Sequence, residues 1–522
     1  MGISNHKFLQ AVIVLGFCLV KMPKTTEHCD EKIEEILCED RISSLPDDLL
    51  VTILLSVPLK DAAATMILSK RWRFMWTMLP ILVYKESDVE SKNSVWDFLD
   101  KSLELHKAPL LGMYMQLGPQ CPLDADVGKW VATALDRGLA LLIFELRWSA
   151  DPTSLPMTLY SCKSLKILRL SHKVLVDLPS SIWLPSLQIL ELNCVVYKNE
   201  DSLKRFLSSC PVLESMTVTR EKDDNVKIFT VKAPYLLDLS YGNYMSDDDE
   251  EDTGRCLVID TPALTYLDIA DYSGNSWSIE NTPCLEEVYF NVDRSLLGFD
   301  KFLRSFSKVL FLELILTDKM IVCFSTIEFS RLTKCKLFPN NSNWMDSLVN
   351  CCQKTNHQPP IASMWWSQSI SDPECLSSSL EKFELIDYGG REEERELVEY
   401  ILTTSICLKT ATISLSTLKL EDEDITMKEL KAIPRCVIKA KFNTPHWSIF
   451  GFNSLPKKVL MCVEEIFHSS NSPRNKLYSN NPRISYHRTE QPTTYLKLGL
   501  DIWVVGSGSD LFGSGSFESK SL

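Results

Sequence analysis

A leucine pattern of the form L-x-x-L-x-L recurs through the middle of this chain and constrains its fold more than any other feature. It begins weakly at Leu141, Phe144, Leu146. It is clear at Leu165, Leu168, Leu170 and at Leu187, Leu190, Leu192, the last followed by Asn193. It returns at Leu213, Met216, Val218; at Leu236, Leu239, Tyr241; at Leu264, Leu267, Ile269; and at Leu285, Val288, Phe290. It goes on at Val309, Leu312, Leu314 and Leu332, Cys335, Leu337, then at Leu380, Phe383, Leu385 and Leu408, Ala411, Ile413. Successive starts lie 21 to 28 residues apart, apart from one double gap of 48 before Leu380. Alternation at period two is the signature of a short strand with one buried face. A strand and its return segment cannot bury that face alone, so the units must stack.

The period is that of a leucine-rich repeat, which predicts strands laid side by side as a curved parallel sheet in an α/β solenoid. A proline precedes several units (Pro185, Pro211, Pro234, Pro262, Pro283) and marks the turn into each strand. The acidic run Asp247 to Asp252 sits inside a long spacing and reads as a solvated loop insertion, with Ser246 beside it as a candidate kinase site. Pro359-Pro360 to Trp365-Trp366 reads as an irregular connection. Gly389-Gly390 then leads into a helix over Arg391 to Leu402, with Leu397, Val398, Ile401 and Leu402 as its apolar face.

Ahead of the repeats, Asp40 to Trp76 has helical spacing instead. Ser44 is the expected cap of a first helix, with Pro46 in its first turn and Asp47 and Asp48 complementing the helix N-terminus. Leu49, Leu50, Ile53, Leu54 and Val57 supply the apolar stripe, and Pro58 ends it. Asp61 is the expected cap of a second helix over Ala62 to Leu68, and Ser69 of a third carrying Arg71, Trp72 and Trp76. So small a unit needs a partner surface or a following domain to be stable.

Composition narrows the function. The 522 residues carry 69 acidic and 55 basic side chains, a formal charge of −14, which argues against a protein whose main task is holding nucleic acid. Seventeen cysteines are scattered with no C-x-x-C pair, as expected of reduced thiols buried mostly in cores, in a nuclear or cytoplasmic setting. Phe8 to Val20 is apolar but shorter than the roughly 20 residues of a membrane span, and Lys21-Met22-Pro23 is a poor cleavage site. It reads as part of an N-terminal extension; no membrane partner is expected. Signatures of phosphate loops, zinc proteases, serine hydrolases and kinases are absent from the sequence. The histidines are scattered singly, and Cys351 or Cys352 with His357 lacks an orienting third group. No catalytic residue, metal ligand or cofactor is therefore expected. The Gly/Ser-rich end reads as a flexible tail.

The segment LPDDLLVTILLSVPLKDAAATMILSKRWRFMW, with its Leu45-Pro46-Asp47-Asp48 opening and Ser69-Lys70-Arg71-Trp72-Arg73 close, resembles an F-box. Pro373 to Leu415 resembles the FBD module that ends many plant F-box/leucine-rich-repeat proteins. The resulting expectation is an α/β chain. An N-terminal extension (1–39) precedes a small three-helix F-box (40–85), a leucine-rich-repeat solenoid (86–358), an FBD-like continuation (359–442) and a divergent tail (443–522). The resemblance implies a non-catalytic adaptor. The F-box would dock on the Skp-type adaptor of a cullin–RING ubiquitin ligase, and the repeats would hold a target protein. Carried over by position, Leu45 and Pro46 would open the docking surface, Leu49, Ile53 and Leu59 would supply apolar contacts, and Trp72 a packed aromatic anchor. Two readings compete with this one. One is a leucine-rich-repeat scaffold that does not assemble a ligase; the other is an anchored or secreted recognition protein using Phe8–Val20.

Overall fold

A computed structural model of the chain describes residues 42, 45–85, 94–119, 125–147, 151–179, 181–221, 225–243, 255–271, 276–291, 304–316, 329–339, 374–390 and 392–415. The expectations for Ser44, Phe8–Val20, Ser246, the acidic run, Pro359–Trp366, Cys351-Cys352 with His357, and the C-terminal tail fall outside these residues.

The described residues begin with α1 (Asp47–Leu55), α2 (Leu59–Ala64) and α3 (Trp72–Met75), with single 3-10 turns at Thr65–Ile67 and Trp76–Met78. Pro46, in extended conformation, is the N-cap residue of α1, and its carbonyl accepts from Leu49 N and Leu50 N. The second helix starts earlier than expected. Pro58, not Asp61, stands at its N-cap, and Ala62 N donates to the Pro58 carbonyl. Proline pre-sets the backbone there, and the early start buries Leu59, so Asp61 falls in the first turn, where its charge suits the helix dipole. Arg71, not Ser69, stands at the N-cap of α3, while Ser69 Oγ, ahead of it, accepts from Trp72 N at 3.4 Å.

The remaining described residues build one parallel sheet of thirteen strands, here in their order across it. These are β1 (Ile81–Lys85), β2 (Gly112–Leu117), β3 (Leu141–Leu146), β5 (Ile167–His172), β7 (Ile189–Asn193), β9 (Ser215–Arg220) and β11 (Asp238–Asn243). After them come β13 (Tyr266–Asp271), β15 (Glu287–Asn291), β16 (Phe311–Leu316), β17 (Lys334–Pro339), β18 (Lys382–Tyr388) and β19 (Thr410–Leu415). Return segments add two three-stranded sheets, β4-β6-β8 (Thr153–Ser154, Val174–Val176, Val196–Tyr197) and β10-β12-β14 (Ile228–Lys232, Cys256–Asp260, Ser276–Asn281). Helices α4 (Ser94–Leu105), α5 (Val127–Leu135), α6 (Glu200–Ser208), α7 (Glu374–Ser378) and α8 (Glu392–Thr404) lie between strands in the chain.

The leucine pattern becomes a ladder. Leu82, Met113, Leu142, Leu168, Leu190, Met216 and Leu239 are register partners from strand to strand. Leu267, Val288, Leu312, Cys335, Phe383 and Ala411 carry the same ladder to the last strand. All thirteen are buried in one contiguous apolar core. The register corrects the first repeat: Leu142, not Phe144, pairs with Leu168, so the unit is Leu139, Leu142, Phe144. Leu146 is buried as well, and with side chains alternating at period two a frame shift by two is invisible in the sequence. Two further units went unread, Leu79, Leu82, Tyr84 and Leu110, Met113, Met115. Each is followed by a helix, which stretches the spacing beyond the 21 to 28 residues that separate most later starts.

The prolines act as expected. Leu187, Leu213, Leu236, Leu264 and Leu285 each donate a backbone N–H to the carbonyl three residues back, closing a turn with proline at its second position. In α8, Leu397, Val398, Ile401 and Leu402 are buried, and Glu394 reaches back to accept from Gly389 N at 2.8 Å. The described part of the FBD-like stretch thus adds α7, α8 and the strands β18 and β19 to the same sheet.

Candidate functional site

The helical unit ahead of the repeats buries some of its apolar side chains and displays others. Leu50, Leu54, Leu59, Ala62, Trp72, Met75 and Trp76 are buried, and α2 packs against β1. The same unit holds six of the large apolar side chains that are exposed among the described residues: Leu49, Met66, Ile67, Leu68, Phe74 and Met78. Ile67 is 81% exposed and Phe74 61%. Single exposed leucines are ordinary; six large apolar side chains exposed in so short a segment are a concentration.

The six residues expected to meet an adaptor divide by burial. Pro46 and Leu49 are exposed, Leu49 by 50%, and Leu45 and Ile53 are half-buried. Leu59 and Trp72 face the interior, each 5% exposed, and hold the helices together. The sequence expectation missed Met66, Ile67 and Leu68 because they continue what reads as the apolar stripe of a longer second helix; the chain instead ends α2 at Ala64 and tightens into a 3-10 turn. Arg71 joins the two ends of the segment: its guanidinium pairs with Asp47 and donates to the Leu45 carbonyl at 2.5 Å. The LPDD opening is therefore fixed by the SKRW close.

A second feature is the face of the sheet opposite the core. Its first half carries Val83, Tyr114, Ile143, Arg169, Glu191 and Thr217 as successive register partners. Its second half carries Ser240, Asp268, Tyr289, Glu313, Lys336 and Glu384. Charge pairs bridge neighbouring strands: Arg169 with Glu191 at 2.7 Å and Lys336 with Glu313 at 3.2 Å. Burial raises Glu191 above the ordinary carboxylate range, with Arg169 opposing that shift.

At one edge of this face His172, Cys194 and Glu221 place ligand-type atoms within 4.8 Å of one another. His172 and Cys194 have φ of 63° and 55°, left-handed conformations that a ladder-end turn imposes. These are zinc-type donors, yet Arg147 Nε already donates to His172 Nε2 at 3.2 Å. Glu145 lies 3.6 Å from the same nitrogen. Burial alone would raise Glu145, but His172 and Arg147 outweigh it and hold the carboxyl below its ordinary value. The group is built as a hydrogen-bonded charge network. Of the described cysteines, Cys210, Cys335 and Cys375 are buried, while Cys162, Cys194, Cys256, Cys284 and Cys407 reach the surface to varying degrees, so burial in cores is not their general rule. All eight are free thiols. Among the described residues no helix is long and apolar enough to cross a membrane.

Comparison with known proteins follows this division. Residues 42–84 match the F-box domain family, residues 127–297 the family described as "FBD-associated F-box protein At5g56370, LRR repeats", and residues 368–413 the FBD family. The FBD-associated F-box protein At1g05080 of Arabidopsis thaliana is 51% identical over 429 residues, which cover 78% of this chain and 97% of the relative. The F-box/FBD/LRR-repeat protein At3g49480 of the same plant is 44% identical, over 78% of this chain and 96% of its own length. A third, At4g26340, is 36% identical over 77% of this chain and 99% of its own. An F-box joined to repeats is the composition of a substrate-recognition protein. Matched in all three modules and along nearly the whole length of these relatives, the chain belongs to the plant F-box/FBD/LRR-repeat family.

Proposed function

We propose that this chain is the substrate-recognition subunit of a Skp–cullin–F-box type ubiquitin ligase. The F-box docks on the Skp-type adaptor, and the repeats hold the target protein near the ubiquitin-loaded conjugating enzyme. Holding two reactants on one scaffold makes transfer effectively intramolecular, so the chain contributes position rather than catalysis. The observation that carries this reading is the set of apolar side chains exposed on the F-box: Leu49, Met66, Ile67, Leu68, Phe74 and Met78. Aromatic and aliphatic anchors of this kind dominate the energetics of protein interfaces. Pro46, Leu49 and Ile53 contact the adaptor directly in this reading. Leu45 is held in place by Arg71, and Leu59 and Trp72 shape the surface from within.

The test is co-purification of the full-length chain with a Skp-type adaptor. Wild type is expected to capture it. Leu49→Asp and Ile67→Asp, which change exposed positions and leave the core intact, are expected to reduce capture at least tenfold. Absence of capture by the wild type leaves a repeat scaffold that assembles no ligase.

A further inference from the structure

On the face of the sheet opposite the core, strands β13, β15 and β16 gather aromatic rings around carboxylates. Tyr266, Tyr289 and Phe311 form a run of tilted ring contacts, with centroids 5.1 and 4.9 Å apart. Asp268 is the register partner of Tyr289, and Tyr289 is in turn the partner of Glu313. Leu267 and Ile269 on either side of Asp268 enter the core, so Asp268 points to the opposite face with Tyr266. Asp268 is only 7% exposed, yet among the described residues it has no hydrogen-bond or ion-pair partner. Leaving a buried carboxylate unpaired is costly, and a fold that keeps one beside a second carboxylate has a place for a cation.

Two facts specify the cation. First, the rings are already used as cation platforms at the site's edge: Lys334 Nζ lies 4.5 Å from the Phe311 centroid. Second, the cation the chain supplies there, Lys336, goes to Glu313 at 3.2 Å and leaves Asp268 unpaired. Burial first, then Glu313, pushes the Asp268 carboxyl up to about 7. Burial and the surrounding Glu287, Glu313 and Asp268 push Tyr289 up to about 12. The charged or titratable groups around Asp268 are Tyr266 on its own strand, Asp238 on β11, Glu287 and Tyr289 on β15, Glu313 on β16 and Lys336 on β17. The carboxylates Asp238, Asp268, Glu287 and Glu313 outnumber the two lysines, Lys334 and Lys336.

We propose that Asp268, Tyr266, Tyr289 and Glu313 form a binding site for a cationic side chain, lysine or arginine, presented by the target protein. This rests on the reading that the repeats hold a target, and it assigns that target a basic segment. The rings contact the side-chain stem and face its charge, and Asp268 neutralises it. Binding therefore requires the ionised carboxylate and strengthens as pH rises through about 7.

The experiment uses the full-length chain and three fluorescein-labelled peptides, alternating glycine–lysine, glycine–arginine and glycine–glutamine, read by anisotropy at physiological salt. The lysine or the arginine peptide is expected to bind, and the glutamine peptide not. Asp268→Asn is expected to weaken binding about tenfold at pH 8 and to abolish the pH dependence. Wild-type affinity should fall about tenfold between pH 8 and pH 6. Tyr289→Phe keeps the ring and should keep binding; Tyr289→Ala should lose most of it. Asp201→Asn removes an equal charge from an exposed position on α6 and is expected to change nothing. Equal weakening by Asp201→Asn and Asp268→Asn, a pH-independent wild type, or no wild-type binding overturns the proposal. Adaptor capture by the same preparations separates this site from the ligase reading. A wild type that captures the adaptor but binds no basic peptide overturns the site alone; one that binds the peptide but no adaptor overturns the ligase reading alone.

Discussion

His106 shows how a single side chain joins two parts of the molecule. It is fully buried; Nε2 lies 2.8 Å from the Leu79 carbonyl and Nδ1 3.2 Å from Arg137. With a carbonyl on one nitrogen and a guanidinium on the other, the ring is neutral, its Nε2–H donating to Leu79 and its Nδ1 accepting from Arg137. Burial first, and Arg137 as well, lower its pKa from the ordinary value of 6.5. The unfolded chain then binds a proton that the folded chain refuses, so stability falls as pH drops below about 6.5. Denaturant unfolding between pH 5 and 8 should show that fall, and His106→Gln should flatten it. Asp268 has the opposite sign. Its folded value is raised from 3.8 to about 7, so its contribution is lost as pH rises between those values. Asp268→Asn should raise Tm by a few degrees at pH 8, and the two proteins should converge toward pH 4. Arg71→Met should cost about 1 kcal/mol, because the pair with Asp47 is partly solvated. Its larger effect should be weaker adaptor capture, since the LPDD opening loses its tie.

At the scale of the element, each repeat is a turn, closed by proline in five of them, a strand with two inward ladder positions, and a return segment. The turn and the ladder were legible because each depends on local chemistry: fixed φ at proline and alternation at period two. Ladder positions carry the stability. Leu190→Ala, at a fully buried position, should cost about 3 kcal/mol, whereas Thr217→Ala on the opposite face should stay within about 0.5 kcal/mol. Chemical denaturation of the full-length chain measures both. The start of α2 was misread for an equally local reason. Asp61 is a good capping residue, but Pro58 fills the cap and Leu59 gains burial by joining the helix.

Across the whole molecule, the F-box is the end piece of the solenoid. Its helices cover the first strand, and its core is continuous with that of the repeats, from Leu50 through to Ile413. A repeat array needs such a cap, because its terminal strand otherwise exposes unpaired backbone and the apolar ladder. A chain beginning at residue 81, stripped of α1 to α3, should therefore aggregate or lose its first repeats, as seen by size-exclusion chromatography and proteolysis. The exposed apolar side chains of the F-box and the repeat face then belong to one continuous structure; under the proposed function this would fix where a target lies relative to the ligase.

The sequence by itself determined the repeat class, the helical unit ahead of it and the proline turns, because each is encoded by neighbours a few residues apart. It also determined the resemblance to an F-box through one short run of residues. Tertiary structure alone decided the register of the early strands, since a shift by two leaves the same alternation, and the membership of β1 and β2, whose spacing is stretched by the helices that follow them. It alone divided Leu45, Pro46, Leu49, Ile53, Leu59 and Trp72 into outward and inward groups, because a compact helical unit must bury one part of its apolar surface and the packing selects which. It alone brought Asp268 beside Glu313 and Tyr289, residues from three repeats whose proximity exists only once the strands have paired.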